Sequence, residues 1–308
     1  PYEGARVTVE PSGRVRIATG VGTQGQGHYT VFAQIVAEVL DVDLDRIHVV
    51  TGDTREFHWG TGTFASRGVV VAGSACHAAA VAVRKKILSL ASDALGVAEN
   101  DLELEGGRVR VKDAPERAVD LGELAVRANP LRGAVTPGTE PGLEATAYFG
   151  PDRGSTASGV HAMIVEVDRE TAMVEIKRYV VVHDSGRVIN PMLVEGQIQG
   201  GVAHGIGNAF YEQLVYDDTG QLLNASFMDY LLPTATDVPR VETAHIETPS
   251  PLNPLGVKGV GEAGAIPTGA AFAQAVEDAL AEDDLEIREI PLSPNRLFEM
   301  IRDAGATR

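Results

Sequence analysis

Glu262 is the residue whose type and setting best suit acid–base chemistry. It lies between Gly261 and Ala263 in a glycine-rich segment, just before a run with helical periodicity. Small neighbours leave the carboxylate unscreened, and a helix N-terminus close by would affect its ionisation. If its surroundings partly exclude water, the carboxylate could act as a general base. A glutamate in front of a helix more often complements the helix dipole, so both interpretations stay open at this point.

Three glycine-rich segments each lead directly into a predicted helix. They span residues 20–30, 61–73 and 256–267. Such segments direct backbone N–H groups and the positive end of the helix towards an anion. Together they could bind a cofactor that carries several phosphate or polar groups. Any one of them alone more often binds nothing.

The first of these segments also fits a dinucleotide-binding fingerprint. Gly20, Gly22 and Gly25 have the required spacing, and Asp53 ends the next strand-like run. This pattern favours a nicotinamide or flavin dinucleotide-binding domain as an alternative function. Against it, residues 14–19 alternate as a half-exposed hairpin strand does, whereas the strand of a fingerprint is continuously apolar.

Two glutamines are candidates for polar contact with a cofactor. Gln26 follows the fingerprint, and its amide could both donate and accept a hydrogen bond. Gln197 lies on a helix predicted to begin at Asn190, on a face that also carries Gly201 and Gly205. Because the side chains on this face are so small, we expect another group to approach it closely. Another backbone segment is the more common explanation, and a planar polar cofactor beside Gln197 is the functional one.

The predicted elements favour an α+β fold with mixed sheets and packed helices in two subdomains, because hairpins and helices occur without strict alternation. The first subdomain is residues 1–135 and the second is residues 140–308, which carries Glu262; a glycine- and proline-rich stretch at 133–142 separates them. The predicted strands are 6–10, 15–19, 47–51, 102–111, 159–167, 172–182, 212–216 and 241–247, and the predicted helices are 30–40, 69–95, 121–127, one from 190 onward, 267–280 and 295–303.

Composition and charge disfavour several classes of function. The 308 residues carry a formal net charge of −17, which disfavours nucleic acid as a partner. We expect neither a membrane span nor a signal peptide, because no apolar run is long enough. The eight histidines lack metal-ligand spacing, so no metal-binding residues are predicted. The single Cys76, predicted to be a buried thiol, suits a reducing compartment, and we expect a cytoplasmic protein.

Four motifs, in this order, make the sequence recognisable: GQGHYT, TFASRG, VINPMLVEGQIQGGVAHGIG and PSPLNPLGVKGVGEAG. Their combination resembles the C-terminal half of the molybdenum-binding subunit of the xanthine oxidase family, and bacterial carbon monoxide dehydrogenase-like large subunits most of all. The resemblance covers essentially the whole chain. It implies a molybdenum cofactor-binding domain of a molybdenum hydroxylase, which oxidises an aldehyde, an N-heteroaromatic compound or CO with oxygen derived from water.

The resemblance also implies roles for individual residues. Glu262 matches the active-site glutamate of the family, the base that deprotonates a hydroxyl group on molybdenum. Gln26 lies in the segment that contacts the pterin dinucleotide, and Gln197 matches a glutamine near the cofactor. The other cofactor-binding residues that it implies are Gly25, Gly27, Thr63, Phe64, Ala65, Ser66, Lys258, Gly259 and Gly261.

The cofactor implied by the resemblance is molybdopterin cytosine dinucleotide with molybdenum, and iron–sulfur clusters and FAD would lie on partner subunits. The expected partners are an N-terminal half or a second molybdopterin subunit, an iron–sulfur subunit, an FAD subunit and a small-molecule substrate. His204 and Asn208 depart from the pattern, because relatives often carry glutamine there. A dinucleotide-binding domain and a non-catalytic assembly subunit are the alternatives.

Overall fold

The computed structural model describes residues 2–131 and 140–306, and the chain divides into two compact units. Unit 1 comprises Pro1–Thr156, Gly186–Asn190 and Pro249–Gly259, and unit 2 comprises Ala157–Ser185, Pro191–Thr248 and Val260–Arg308. The boundary predicted at 133–142 falls largely on residues 132–139, which lie outside the described residues. The division into 1–135 and 140–308 therefore stays a prediction.

A four-stranded mixed sheet forms the base of unit 1. The elements of this unit are, in chain order, β1 (Glu3–Val9), β2 (Val15–Thr19), α1 (His28–Leu40), β3 (Ile47–Thr51), α2 (Ser74–Leu95), β4 (Leu102–Glu105), β5 (Arg108–Val111), β6 (Ala114–Asp120), α3 (Leu121–Arg127) and β7 (Leu143–Phe149). The sheet has the strand order β3-β2-β1-β7, in which β2 is parallel to β3 and the other pairs are antiparallel. β4, β5 and β6 form a separate small sheet.

Period-two alternation explains why one face of the larger sheet is covered by helices. Ala5, Val7 and Val9 of β1 are buried, and the residues between them are half-buried. α2 packs against β1 and β7, and Gly96 in a left-handed conformation ends this helix, as the sequence predicts. Cys76 on α2 is buried, and burial raises the pKa of its thiol to about 12.

The backbone crossing at Gly20 fixes the first glycine segment against the chain that follows β3. A Cβ atom at Gly20 would overlap the carbonyl oxygen of Trp59 and lie 2.7 Å from the Cα atom of Gly60. Only a residue without a side chain fits this contact. The first glycine of the dinucleotide fingerprint therefore faces protein backbone, which weakens the dinucleotide-binding alternative.

Unit 2 is built on a three-stranded sheet. Its elements are β8 (Ser158–Val167), β9 (Val174–Asp184), α4 (Pro191–Ile206), β10 (Val241–His245), α5 (Thr268–Ala279) and α6 (Pro294–Ala306). β9 is the central strand, antiparallel to β8 and parallel to β10. α5 packs on β8, and α4 packs on α5 and β10. Tyr179, Ile198 and Phe272 are fully buried and mark the core of this unit.

A π-helical turn adjoins a long helix in each unit. Val69–Gly73 leads directly into α2, and Gly207–Tyr211 directly follows α4. Turns of this kind are wider than an α-helical turn and frequently occur at functional sites. The first forms the end of the glycine segment at 61–73, and the second continues the helix that carries Gln197.

Most predicted elements are present, including the hairpins β1–β2 and β8–β9. The strand predicted at 212–216 is wrong, because this segment is irregular and contains only an isolated bridge between Tyr216 and Leu222. Residues 14–19 were expected to form a half-exposed strand, which is also wrong. β2 lies between β3 and β1, and all its residues are buried except Arg16, which is half-buried. β6 and β7 were not predicted. Among the described residues, no helix is both long and apolar enough to cross a membrane.

We predict that Gly20→Ala destabilises the protein by about 1–3 kcal/mol, the usual cost of overpacking, because the new methyl group would meet the Trp59 backbone. Gly22→Ala is the matched control, since a Cβ atom at Gly22 would have no atom within 4 Å. Urea unfolding of the two variants measures the difference. Equal midpoints would show that the Gly20 contact does not constrain the fold.

Candidate functional site

A buried ion pair between Glu3 and Arg67 anchors the second glycine segment of unit 1. The Glu3 side chain is fully buried, and Arg67 Nη1 donates to its Oε1 at 2.8 Å. The backbone N–H groups of Thr61 and Gly62 donate to the same carboxylate at 3.1 and 3.2 Å. Because an unpaired buried charge is costly, each charge keeps the other in place. The pair therefore fixes residues 61–67 against the first strand of the sheet.

Strained backbone marks the middle of this loop. Ala65 and Ser66 have φ angles of 49° and 53°, a left-handed conformation that is unfavourable for residues with a side chain. Strain of this kind concentrates at functional sites. The exposed ring of Phe64 lies 4.8 Å from Cζ of Arg67. The guanidinium that pairs with Glu3 thus also positions an aromatic ring beside the strained residues.

Gln26 connects the first glycine segment to the second. Its Oε1 accepts hydrogen bonds from the backbone N–H of Gln24 at 2.6 Å and from the Thr23 hydroxyl at 3.2 Å. Its Nε2 donates to Oγ1 of Thr63 at 3.4 Å, and the Thr63 hydroxyl donates to the Gly22 carbonyl at 2.7 Å. The amide oxygen therefore shapes its own loop, and the second N–H of Nε2 is the group that a ligand could use.

His28 at the start of α1 is buried among these loops. Its ring stacks on Phe32 with centroids 4.8 Å apart, and a Cβ atom at Gly68 would lie 2.5 Å from its Nε2. Burial lowers the pKa of His28 to about 4, so the imidazole is neutral near pH 7. Gly27 precedes the helix without a side-chain cap. The first N–H groups of α1 therefore suit an anionic ligand.

The third glycine segment packs on the second within unit 1. Asn253 Nδ2 donates to the Val257 carbonyl at 2.9 Å, and the Val257 N–H donates to Asn253 Oδ1 at 3.1 Å. A Cβ atom at Gly259 would lie 2.7 Å from Cβ of Ser66. The half-buried Lys258 lies between these two anchored positions in the chain. Its segment is therefore fixed on both sides.

Glu262 lies on an exposed turn of unit 2 that precedes α5. Its carbonyl oxygen accepts hydrogen bonds from the N–H groups of Ala265 at 3.1 Å and Ile266 at 3.2 Å. The N–H group of Ala263 donates to the Val260 carbonyl at 3.1 Å. The backbone of the turn is thus ordered by its own hydrogen bonds. The Glu262 side chain is exposed among the described residues.

Three side chains connect this turn to the sheet. His161 Nε2 lies 3.0 Å from the Ala263 carbonyl oxygen, and His161 Nδ1 lies 2.9 Å from the Tyr179 hydroxyl. That hydroxyl lies 3.0 Å from Oγ1 of Thr268, which donates to the Gly264 carbonyl at 2.6 Å. Burial raises the pKa of Tyr179, so the phenol keeps its proton.

The small face of α4 allows the same turn to approach closely. A Cβ atom at Gly201 would lie 2.7 Å from Cα of Gly264, and one at Gly205 would overlap the Thr268 side chain. The group that meets this face is therefore protein, which was the more common of the two explanations for it. Gln197 lies one helical turn before Gly201 and is half-buried. Its contact with a cofactor stays a prediction.

Comparison with known proteins identifies the family of this chain. A family model described as the molybdopterin cofactor-binding domain matches residues 1–239. The chain belongs to the molybdopterin cofactor-binding domain family. This finding confirms the resemblance drawn from the four motifs, and it does not support the dinucleotide-binding alternative. Glu262 lies beyond the matched residues.

Relatives and solved structures of this molybdopterin cofactor-binding domain extend the match. It is 40% identical over 296 residues to the nicotine 6-hydroxylase large subunit of Paenarthrobacter nicotinovorans, covering 96% of this chain and 36% of that protein. It is 37% identical over 305 residues to the carbon monoxide dehydrogenase large chain of Hydrogenophaga pseudoflava, covering 98% and 37%. The quinoline 2-oxidoreductase structure from Pseudomonas putida 86 superposes with a TM-score of 0.88 at 40% identity, covering 98% and 38%. The chain spans a little over a third of the length of these relatives.

The predicted site residues of this molybdopterin cofactor-binding domain fall into two groups. Unit 1 contains Gly25, Gln26, Gly27, Thr63, Phe64, Ala65, Ser66, Lys258 and Gly259, whereas unit 2 contains Gln197, Gly261 and Glu262. Hydrogen bonds and packing connect the loops within unit 1. Within the described residues, no group of three or more His, Cys, Asp or Glu side chains is arranged to hold a metal.

Sequence reasoning missed the residues that support these groups. They are Glu3, Arg67, His161, Tyr179 and Thr268. A signal was present for His161, because a polar residue interrupts the apolar positions of a strand. Glu3 offered no signal, since a charge at the start of a strand is usually exposed.

We predict that Glu3→Gln destabilises unit 1 by about 3–5 kcal/mol, because the variant leaves the Arg67 charge buried without its partner. Glu123→Gln is the control, since it breaks the exposed pair with Arg127 and should leave stability near that of the wild type. Thermal unfolding compares the two variants. A Glu3→Gln protein as stable as the control would refute the anchoring role.

Proposed function

We propose that this domain is the part of a molybdenum hydroxylase that carries the catalytic base, Glu262. The observation that carries the proposal is the exposed turn on which Glu262 lies. Gly201 packs against its Gly264, and His161 contacts its Ala263 carbonyl. A carboxylate on a fixed and accessible backbone suits a base that meets a separately bound substrate.

The loops of unit 1 fit the polar groups of a pterin dinucleotide. Gly25 has a φ angle of 104°, and a Cβ atom there would have no atom within 4 Å. Its backbone is therefore open to a ligand, beside a helix N-terminus that suits phosphate. We propose that molybdopterin cytosine dinucleotide binds there. The residues proposed to contact it are Gly25, Gln26, Gly27, Thr63, Phe64, Ala65, Ser66, Gln197, Lys258, Gly259 and Gly261.

Glu262 moves the proton in this proposal. The bound molybdenum cofactor would supply two-electron redox chemistry with oxygen derived from water. The Glu262 carboxylate accepts a proton from the water-derived hydroxyl group, which makes that oxygen nucleophilic towards an electrophilic substrate carbon. Because Glu262 is exposed in this chain, the exclusion of water around it must come from bound ligands or from further protein. The substrate class is an aldehyde, an N-heteroaromatic compound or CO.

Further protein is also indicated by an apolar surface in unit 2. Eight large apolar side chains that are at least 40% exposed lie between α4 and β10, at Leu214, Val215, Tyr216, Leu223, Phe227, Met228, Leu231 and Leu232. Several large apolar side chains exposed within one segment favour a docking site. We propose that the rest of the molybdopterin subunit, as an N-terminal half or a second chain, covers it. Iron–sulfur and FAD subunits would then receive the electrons, in a complex located in the cytoplasm.

We predict that Glu262→Gln lowers turnover by about 10²–10⁴-fold, because the amide keeps the shape of the side chain but cannot accept the proton. Cofactor content and fold should stay near those of the wild type. The measurement is the rate of cofactor reduction by substrate in the assembled complex, normalised to molybdenum. Glu170→Gln is the control, since Glu170 is an exposed residue of unit 2.

The alternative interpretation of Glu262 predicts a different pattern. If the residue only complements the helix dipole, the substitution should cost about 0.5–2 kcal/mol of stability, and the normalised rate should stay the same. A rate within a few-fold of the wild type would therefore remove Glu262 as the base. The assignment of cofactor binding to unit 1 would stand, because it depends on other residues.

We predict that Gln26→Ala lowers the cofactor content of the folded complex, because the cofactor and the loop both lose a polar partner at a cost of roughly 1–3 kcal/mol. Gln24→Ala is the matched control, since this substitution keeps the Gln24 backbone N–H, which donates to Gln26. Released pterin and molybdenum are measured per folded complex. Equal cofactor content in the two variants would show that Gln26 serves the fold alone.

A further inference from the structure

The contacts beneath the Glu262 turn need more protons than neutral side chains supply. Carbonyl oxygens only accept hydrogen bonds, so the contact with Ala263 requires a proton on His161 Nε2. For the same reason, the contact with Gly264 takes the single proton of the Thr268 hydroxyl. Both carbonyls belong to the turn that carries Glu262. The protons at the two ends of the network are therefore assigned.

Tyr179 lies between these two ends and completes the count. Because the Thr268 proton goes to the Gly264 carbonyl, the Tyr179 hydroxyl must donate to Thr268. Tyr179 then accepts from His161, which requires a second proton on His161, at Nδ1. The four contacts need four protons, whereas Tyr179, Thr268 and neutral His161 hold one each. The network is complete only when His161 is an imidazolium.

We propose that His161 is a positioning residue for Glu262, and that protonation of His161 completes the hydrogen-bond network that orders the turn. His161 acts through the carbonyl of Ala263, the residue after Glu262. When His161 is neutral, one of the four contacts has no proton, so two acceptor atoms face each other there. The inference rests on the proposed role of Glu262 as the base.

The surroundings of His161 keep the imidazole neutral near pH 7. Burial is the main reason why the pKa of His161 is lowered, the Ala263 carbonyl raises it, and the nearby His183 on β9 lowers it further. The network is therefore one proton short at neutral pH. The Ala263 contact raises the pKa and exists only when the turn is ordered, so through this contact a proton on His161 favours the ordered turn. The ordering is gained as the pH falls through the lowered pKa and is lost as the pH rises again.

The neighbouring titratable groups lie on β10, on α5 and in the Glu262 turn itself. β10 places His245 in register with His183, which adds another titratable ring on the sheet. α5 contributes the neutral Thr268 to the network, and its acidic residues, Glu277 and Asp278, lie at the opposite end of the helix. Glu262 is the acidic residue that adjoins the Ala263 contact in the chain. A change with pH in the order of the turn can thus be assigned by variants of the network.

The test is hydrogen–deuterium exchange of the assembled complex, followed by mass spectrometry from about pH 5 to about pH 8. The N–H groups of Ala265 and Ile266 donate to the Glu262 carbonyl, so a peptide that spans them reports the order of the turn. Protection is corrected for the intrinsic dependence of exchange on pH. In the wild type we expect protection to rise about fivefold as the pH falls through the His161 transition, the effect of one net hydrogen bond.

Two variants make the assignment specific. His161→Gln can donate to Ala263 and accept from Tyr179 but cannot gain a proton, so its protection should stay at the level of the wild type at high pH. Tyr179→Phe leaves two contacts, which neutral His161 and Thr268 satisfy with one proton each, so its protection should not depend on pH. His48→Gln is the control, since His48 is exposed on β3, and it should behave as the wild type does. A wild type that shows no change, or a His161→Gln variant that titrates as the wild type does, would overturn the proposal.

Turnover per molybdenum connects the network to chemistry. As the pH falls, turnover of the wild type relative to His161→Gln should rise over the range in which protection rises. If protection of the turn changes with pH but the ratio of wild-type to His161→Gln turnover stays constant, His161 does not position Glu262. The Glu262→Gln variant separates this inference from the proposed function, because it leaves the four contacts in place. Undiminished turnover of Glu262→Gln would refute the proposed role of Glu262 as the base. If Glu262→Gln is inactive but protection of the turn does not change with pH, only the proposed role of His161 is refuted.

Discussion

The loops of unit 1 depend on a charge pair that has been taken out of water. Glu3 belongs to the first strand, so its carboxylate holds Arg67 and the backbone of residues 61–62 at a position set by the sheet. From this anchor the connection runs through Thr63 to Gln26, and through Ser66 to Gly259. Each of these contacts is weak or purely steric by itself. The buried pair makes them consequential, because the loop cannot move without exposing or separating two charges.

In unit 2 the turn that carries Glu262 is held in place by different contacts. Backbone packing at Gly201 and the hydrogen-bond network of His161, Tyr179 and Thr268 hold the Glu262 turn. The strength of such a network depends on whether every contact has a donor and an acceptor. The order of residues 61–67 in unit 1 therefore depends on a charge pair, whereas the order of the Glu262 turn in unit 2 depends on hydrogen bonds between polar side chains and backbone carbonyls. The two units should respond differently to salt and to pH.

The sequence was sufficient to predict structure and function wherever they depend on a local pattern of residues. Alternation predicted the hairpins, Gly96 predicted a helix end, and four motifs predicted the family. It was insufficient where a residue acts on a distant one. The Glu3 carboxylate meets a guanidinium from residue 67, and no local pattern indicates that pairing. The glycine at position 20 fits a ligand-binding fingerprint in sequence, yet the structure uses it for contact with the backbone of Trp59.

The π-helical turn at Val69–Gly73 makes the length of the chain critical at the point where loop becomes helix. A turn of this kind accommodates one residue more than an α-helical turn does. Each residue of an α-helix advances the side chains by about 100° around the axis. Deletion of a single residue here would therefore rotate α2 by that angle relative to the loop, unless the strained residues absorbed the change. Its buried face, which includes Ala79, Val83 and Ile87, would turn away from the sheet. An insertion or deletion within these five residues would therefore turn the core face of a 22-residue helix by about 100°.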